Sequence, residues 1–300
     1  MLNKTDKIWM NGQMVAWDDA QVHVLTNALH YGSGVFEGIR CYETEKGPAV
    51  FRLKDHISRL FYSAKCLGIG LPFTQNQLEK AVVETVKVNN LKECYIRPIV
   101  FCGYGVIDLD ITNSEVNTSI ISLPLKVTLD YKVISGIISS YQRISPKAVP
   151  IDAKINGYYV NSILATLEAK KAKADEAILL DDNGDVAEGA GENIFLVKNG
   201  QVYTPALGYI LPGITRNSVI QIIKDNKINV IEKKISVQEL QDADEVFFTG
   251  TWIEVCPVVE INKRKLGDGK TGKITRMTTD KFQNIVRGKD KNYLSWLSFV

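Results

Sequence analysis

Three Asn-Gly pairs restrict the fold of this 300-residue chain more than any other feature of its sequence. They are Asn11-Gly12, Asn183-Gly184 and Asn199-Gly200. A two-residue type I′ turn needs positive φ at both central positions, so Asn-Gly between β-type runs is a strong hairpin signal. We therefore predict antiparallel pairing in 7–17, in 176–187 with 192–197, and in 194–204. These hairpins disfavour a doubly wound parallel sheet.

Other segments complete a mixed pattern of strands and helices. Further strands are predicted at Ile96–Phe101, Ser119–Leu123 and Glu245–Thr249. Helices are predicted at 57–67, 74–89, 160–167, 211–224 and 275–287. Because the stretch 123–130 contains a proline and breaks the strand pattern, we predict a linker there. It would join a small N-terminal domain over 1–122 to a larger domain over 131–300.

Composition excludes several classes of function. Hydrophobic residues make up 45% and charged residues 23%, which is ordinary for a globular protein. The net charge of +2 comes without a basic block, so we expect no nucleic-acid partner. No apolar run is long enough to span a membrane. Five scattered cysteines without a CxxC pattern favour reduced thiols and a cytoplasmic location.

Two segments carry the strongest chemical signals. In 186–193, Glu188 and Glu192 bracket two glycines inside an apparent strand pair. Glycine in a strand often marks the close approach of a ligand, although a solvated hairpin is an equal alternative. Lys154 stands among small and apolar residues ahead of a helix, where an amine can serve as a covalent catalyst. A surface lysine is the default alternative.

Candidate anion sites are weaker signals. Gly213, Ile214 and Thr215 begin a predicted helix, whose free N–H groups and dipole can bind phosphate or simply form a cap. Thr249 and Thr251 flank Gly250 at the end of a predicted strand, and their two hydroxyls can contact an anion, although most Thr-Gly-Thr triplets are turns. Arg59 would be an exposed arginine unless its helix face meets an anion.

The glycine-rich segment 28–42 has the composition of an apolar pocket, with Tyr31 and Phe36 as walls. Tyr95 and Arg97 are two apart on a strand, and hence on one face, where they could clamp a carboxylate. An exposed strand face is an equal alternative. The sequence contains no metal-ligand spacing, nucleotide-binding loop or catalytic triad.

Taken together and in order, these segments resemble the class IV (fold type IV) pyridoxal-phosphate enzymes, especially the branched-chain amino acid aminotransferases. The resemblance runs nearly end to end. It rests on HYGSGVFEGIRCY at 30–42, YIRP at 95–98, EGAGEN at 188–193, LPGITR at 211–216 and DEVFFTGT at 244–251. It implies an α/β fold of mixed α+β character, with a small domain, an interdomain loop and a larger domain around a pseudo-barrel of strands.

The resemblance also implies a cofactor site for pyridoxal 5′-phosphate. Lys154 would hold the cofactor covalently and move the proton, and Glu188 would pair with its pyridine nitrogen. The phosphate would be bound by residues that offer N–H or hydroxyl donors, namely Arg59, Gly213, Ile214, Thr215 and Thr251. Tyr159 would contact the phenolic oxygen, and Leu211 would pack on the ring.

The substrates implied are leucine, isoleucine, valine, glutamate and 2-oxoglutarate. Residues near the substrate would be Tyr31, Phe36, Gly38, Tyr95, Arg97, Tyr159, Thr251 and Trp252. Arg97 is expected to bind the distal carboxylate of glutamate. Tyr31 and the loop near Gly103–Val106 would be offered across a dimer interface, so a homodimer or a multiple of it, such as a hexamer, is expected.

Two departures from the family pattern concern substrate range. Trp252 replaces a small residue after Thr251, and Leu125 and Lys126 replace aromatic residues in a shorter interdomain loop.

The resemblance as a whole predicts a cytoplasmic transaminase for branched-chain L-amino acids. The alternatives are an aminodeoxychorismate lyase, a D-amino-acid or (R)-amine transaminase of the same fold, and an inactive cofactor-binding regulator.

Overall fold

The computed structural model describes residues 3–125 and 133–300. Its strands are β1 Lys7–Met10, β2 Gln13–Ala16, β3 Gly34–Phe36, β4 Ile39–Thr44, β5 Gly47–Phe51, β6 Cys94–Cys102, β7 Val116–Pro124, β8 Ile134–Gln142, β9 Glu176–Leu180, β10 Val186–Gly189, β11 Asn193–Lys198, β12 Gln201–Pro205, β13 Val230–Lys233, β14 Glu245–Gly250, β15 Glu254–Ile261, β16 Arg264–Lys265 and β17 Leu297–Phe299. Its helices are α1 Asn27–Tyr31, α2 Leu53–Cys66, α3 Gln75–Val88, α4 Tyr159–Lys171, α5 Ile214–Asp225, α6 Val237–Gln241 and α7 Lys273–Val286.

The chain forms two compact units. The first contains Met1–Thr128, Ala153–Gly157 and Asn284–Val300, and the second contains Leu129–Asp152 and Tyr158–Gln283. The sequence-predicted boundaries around 123–130 stay a prediction, because 126–132, including Lys126, lie outside the described residues. The first unit also takes in two later segments, which no feature of the sequence indicated.

The first unit is built on an antiparallel sheet in the order β17-β5-β4-β6-β7-β1-β2, with β3 paired to β6. The predicted hairpin at Asn11-Gly12 is confirmed, since Ile8 pairs with Val15 and both turn residues have positive φ. Helix α3 begins after Thr74, whose side chain forms a reciprocal capping box with Gln77. Such a cap satisfies N–H groups that a helix start leaves unpaired.

The second unit contains a mixed sheet in the order β10-β9-β8-β15-β14-β11-β12-β13, with β16 paired to β15. The predicted hairpins at Asn183-Gly184 and Asn199-Gly200 are confirmed as β9–β10 and β11–β12. Three pairings are parallel, namely β8–β9, β8–β15 and β12–β13. The two ends of the sheet approach each other, because the Val186 N–H on β10 donates to the carbonyl of Ile235, just after β13, at 2.8 Å. This curling forms the expected pseudo-barrel.

Strands β10 and β11 are not neighbours in this sheet. The predicted pairing of 176–187 with 192–197 is therefore wrong in the described sheet order, since β11 pairs with β12 and β14 instead. The reason is the short turn after Glu188, where the Gly189 N–H donates to the Glu192 carbonyl at 2.7 Å. The turn redirects the chain from one end of the sheet to its middle.

Helix α4 packs on this sheet through alanines. Ala165 and Ala169 are fully buried, in a cluster with Ala177 and Leu179. Its large apolar residues lie on other faces and are exposed: Val160, Ile163, Leu164 and Leu167. The helical spacing of these residues predicted the helix correctly but not which side is buried, because small side chains let the helix approach the sheet closely.

No helix within 3–125 or 133–300 has the length and apolar character needed to cross a membrane.

Candidate active site

Lys154 lies in Ala153–Gly157, the short segment that packs in the first unit. Its N–H donates to Ser63 Oγ at 2.8 Å, and its carbonyl accepts from the Phe36 N–H at 3.2 Å. The amine nitrogen lies 5.0 Å from the centroid of the Phe36 ring. The backbone is thus fixed from both sides and the side chain is half-buried. This arrangement disfavours the alternative of a solvated surface lysine.

Tyr95 and Arg97 share one face of β6, as predicted. Arg97 Nη2 donates to Tyr95 Oη at 2.7 Å, and the guanidinium carbon lies 4.5 Å from the centroid of Phe36. A Cβ at Gly38 would lie 2.1 Å from Tyr95 Oη, so a side chain at Gly38 would displace the phenol. A cation, a hydroxyl and an apolar ring therefore meet here, which suits a ligand with a carboxylate beside an apolar group.

Arg59 is largely buried, and not exposed as arginine side chains usually are. Its side chain is 11% exposed and forms a bidentate ion pair with the fully buried Glu37, with Nε to Oε1 at 2.6 Å and Nη2 to Oε2 at 2.9 Å. His56 Nδ1 lies 2.7 Å from the same carboxylate. His56, Arg59 and Ser63 recur at helical spacing on α2, so one face of this helix carries polar groups into the unit.

Tyr31 stands apart from these residues. It ends the short helix α1 and is 48% exposed. The nearby loop around Tyr104 is held by Asn27, whose Nδ2 donates to the carbonyls of Val106 and Asp108. Tyr104 is also exposed, with its ring against His23.

In the second unit, Glu188 is buried at the end of β10 and surrounded by donors. Arg143 Nε lies 2.6 Å from Oε1, Asn193 Nδ2 donates to Oε2 at 3.0 Å, and the Leu211 N–H lies 3.2 Å from Oε2. A buried carboxylate is costly unless it is paired in this way. The solvated-hairpin alternative for this segment is therefore excluded.

Glu192 has a different environment. Its Oε2 accepts from the Gly191 N–H at 3.0 Å, and a Cβ at Gly189 or Gly250 would come within 3.1 to 3.2 Å of its side chain. Burial, together with the nearby carboxylate of Glu176, raises the pKa of Glu192 to about 8. The pKa of Glu176 is raised as well, mainly by burial. The Glu192 carboxyl therefore keeps its proton at neutral pH.

The start of α5 offers donors for an anion. Gly213 is the N-cap residue without a side-chain cap, so the first N–H groups of the helix, at Ile214 and Thr215, lack a capping acceptor from it. A Cβ at Gly213 would lie 1.9 Å from Asn193 Oδ1, which keeps this backbone close to the Glu188 cluster. The 12-residue helix adds its dipole, which favours negative charge at this end.

The remaining predicted residues lie in the same unit. Thr251 and Trp252 form the turn after β14, with Trp252 63% exposed, and Tyr159 begins α4 half-buried. Leu211 precedes α5 and contacts Glu188 through its N–H. On β14 the hydroxyl of Thr249 is buried without a hydrogen-bond partner.

Several polar residues were missed by the sequence reasoning. They are Glu37, His56, Ser63, Arg143, Glu176 and Asn193. Asn193 stands inside the EGAGEN motif and could have been assigned with Glu188. Arg143 is 45 residues from Glu188 in the chain and has no local signal.

Features of this structure fit a phosphorylated pyridine. In the second unit, the uncapped start of α5 and the unpartnered Thr249 hydroxyl suit a phosphate, and the oriented Glu188 carboxylate suits a protonated ring nitrogen. In the first unit, the Lys154 amine suits an aldehyde and Arg59 suits an anion.

Comparisons with known proteins agree with this chemistry. A family model described as amino-transferase class IV matches residues 34–261. The branched-chain-amino-acid aminotransferase of Pseudomonas aeruginosa is 40% identical, over 100% of this chain and 99% of that protein. The enzyme of the same name from Escherichia coli K12 is 39% identical, over 99% of this chain and 98% of that protein.

Solved structures show the same relationship. The branched-chain aminotransferase from Thermoproteus uzoniensis with norvaline has a TM-score of 0.94 at 42% identity, covering 98% of this chain and 99% of that one. The branched-chain amino acid aminotransferase from Escherichia coli has a TM-score of 0.94 at 38% identity, covering 99% of both chains.

Proposed function

We propose that this chain, which belongs to the class IV aminotransferase family, transfers the amino group of branched-chain L-amino acids to 2-oxoglutarate. The relatives with this activity in their names align with nearly the whole chain. The observation that carries the proposal is the environment of Lys154, whose amine lies over the Phe36 ring that also packs against Arg97. An amine, an apolar ring and a carboxylate-binding cation are the groups that this reaction requires in one place.

The cofactor proposed is pyridoxal 5′-phosphate, which when bound supplies a ring that withdraws electrons as the substrate Cα–H bond breaks. Lys154 would hold it covalently and then carry the proton between substrate carbon and cofactor carbon. Glu188 would keep the pyridine nitrogen protonated, since Arg143 and Asn193 hold this carboxylate in one orientation.

Other residues would orient the cofactor. The proposed phosphate ligands are donors that the sequence indicated, namely Arg59, the backbone of Gly213 and Ile214, Thr215 and Thr251. Tyr159 would bind the phenolic oxygen and Leu211 would pack on the ring. The support for this set is the uncapped start of α5 and the buried position of Thr215.

The proposed substrate contacts are three aromatic side chains, a tyrosine–arginine pair and one turn. Phe36, with Tyr31 and Tyr159, would cover a branched aliphatic side chain, and such apolar contacts separate one methylene by only about 1–3 kcal/mol. Tyr95, beside Gly38, and the turn at 251–252 would bind the α-carboxylate. Arg97 would bind the distal carboxylate of glutamate.

We further propose a homo-oligomer in which Tyr31 and the loop around Tyr104 reach the active site of a neighbouring copy. In the single chain both tyrosines are about half exposed, and α4 exposes four large apolar side chains. Exposed apolar faces of this kind commonly mark protein interfaces. A cytoplasmic location is proposed because the five cysteines are thiols rather than disulfides.

Absorption spectroscopy tests the proposal directly. The purified holoenzyme should absorb visible light, and its spectrum should change when L-leucine, L-isoleucine, L-valine or L-glutamate is added without an acceptor. D-leucine should leave it unchanged, which separates this activity from a D-amino-acid transaminase. A spectrum unaffected by all four L-amino acids would contradict the proposal.

A further inference from the structure

A buried carboxylate beside the proposed phosphate-binding arginine has no part in the reaction described so far. Glu37 follows Phe36 and is fully buried, and its carboxylate spans the Nε and Nη2 groups of Arg59. Burial alone would raise its pKa, but the adjacent Arg59 and His56 outweigh this and hold the pKa of Glu37 well below its usual range. Glu37 is therefore ionised throughout the physiological pH range.

His56 supports this carboxylate as a neutral group. Burial lowers the pKa of His56, and the charges of Arg59 and Lys154 lower it further, against the opposing effect of Glu37. An ionised carboxylate only accepts hydrogen bonds. The proton of the imidazole therefore lies on Nδ1, which donates to Glu37 Oε2 at 2.7 Å. Glu37 thus accepts from two side chains of one helix, α2.

We propose that Glu37 is a positioning residue that holds the Arg59 guanidinium in the orientation that binds the cofactor phosphate, and that His56 holds Glu37. This inference rests on the proposed function, since it takes pyridoxal 5′-phosphate as the ligand. The pair with Glu37 engages Nε and Nη2, which lie on one edge of the guanidinium, and two contacts on one edge fix the plane of the group.

The energetic reason is pre-organisation. A free arginine side chain has many rotamers and loses their entropy when it is fixed. Glu37 fixes Arg59 before the phosphate arrives, so this cost is met during folding rather than during binding. The effect should therefore appear for ligands with a phosphate and be absent for ligands without one.

A comparison of two ligands tests this. Apo-protein is titrated with pyridoxal 5′-phosphate and, separately, with pyridoxal, which has the same ring and aldehyde but no phosphate, and binding is followed by absorbance. Glu37→Gln should weaken the affinity for pyridoxal 5′-phosphate by about tenfold or more, the size expected for misplacing one charge-assisted contact. Its affinity for pyridoxal should stay within about twofold, because no phosphate contact is involved.

Glu93→Gln is the matched control. Glu93 forms a partly buried ion pair with Arg287 in the same unit. Loss of this pair removes a similar interaction away from Lys154 and Arg59, so both affinities should stay at the parent values.

Further variants keep the test decisive if Glu37→Gln folds poorly. The double variant Glu37→Gln/Arg59→Gln removes both charges, and it should bind pyridoxal 5′-phosphate no more weakly than Arg59→Gln alone, because Glu37 acts only through Arg59. His56→Asn keeps a donor for Glu37 and should retain the parent affinity, whereas His56→Leu should weaken phosphate-dependent binding.

Equal losses for both ligands in Glu37→Gln would overturn the inference, because they would show general damage to the unit. An unchanged affinity for pyridoxal 5′-phosphate would also overturn it. In either case the parent enzyme would still bind the cofactor and react with L-leucine. If the parent protein itself fails to do so, the proposed function fails instead.

Discussion

Replacing Glu192 by glutamine should stabilise the protein at alkaline pH and leave its stability nearly unchanged in mild acid. Burial and the neighbouring Glu176 raise the pKa of Glu192 from 4.5 to about 8. The folded protein therefore keeps a proton that the unfolded chain releases above pH 4.5. Stability contributed by this proton is complete below pH 4.5 and is lost as the pH rises to about 8.

The magnitude follows from the size of this interval. Each pH unit corresponds to about 1.4 kcal/mol, so the free energy of unfolding falls by about 5 kcal/mol between pH 4.5 and pH 8. Glutamine resembles the protonated acid and can donate to Glu176 at every pH. At about pH 8.5 the free energy of unfolding of the variant should therefore be about 5 kcal/mol higher than that of the parent, which corresponds to roughly 10 °C in Tm. At pH 4.5 the two proteins should have the same stability.

Thermal unfolding of the holoenzyme at a series of pH values measures this difference. Glu239→Gln provides a control of opposite sign, since the side chain of Lys233 and the backbone of Ser236 lower the pKa of Glu239 to about 2. That variant should be destabilised most at neutral and alkaline pH. A Tm difference between Glu192→Gln and the parent that is the same at about pH 5 and about pH 8.5 would refute the reasoning.

Three further predictions concern activity. Lys154→Ala should lose the visible absorption band of a bound aldehyde and all turnover with L-leucine, and a variant that keeps the parent rate would falsify the assignment. Arg97→Gln should raise KM for L-glutamate by about 10- to 100-fold, the range for losing a charged hydrogen bond, with a much smaller effect for L-leucine in the same half-reaction assay. Gly38→Ala should displace Tyr95 Oη, because the new Cβ would lie 2.1 Å from it. The free energy of unfolding should fall by an overpacking cost of about 1–3 kcal/mol, and binding of every substrate carboxylate should weaken. Equal kinetics for Gly38→Ala and the parent would contradict this last expectation.

The features that the sequence predicted well are those with local causes. The Asn-Gly hairpins and the start of α3 at Thr74 depend on residues a few positions apart, and the structure confirms them. The Tyr95–Arg97 pair was predicted for the same reason, since two residues of one strand share a face.

The features that were missed depend on distant parts of the chain. The parallel pairings of β8 join strands whose order no turn motif reveals. Arg143 reaches Glu188 across 45 residues, and Arg59 reaches Glu37 across 22. The buried face of α4 was not predicted because alanine carries little hydrophobic signal, although its small size is what permits close packing.

The first unit is built from segments that lie far apart in the chain, and this limits when it can fold during translation. Its sheet gains the edge strand β17 only from Leu297–Phe299, which pairs with Phe51 and its neighbours, and the lysine segment comes from the middle of the chain. During translation, an emerging N-terminal portion therefore lacks both pieces. The Lys154 backbone can bond to Ser63 and Phe36 only after residues 153–157 have been made, and the sheet of this unit gains β17 only with 297–299. The order of synthesis therefore makes the position of Lys154 a late product of folding rather than a property of the N-terminal segment alone.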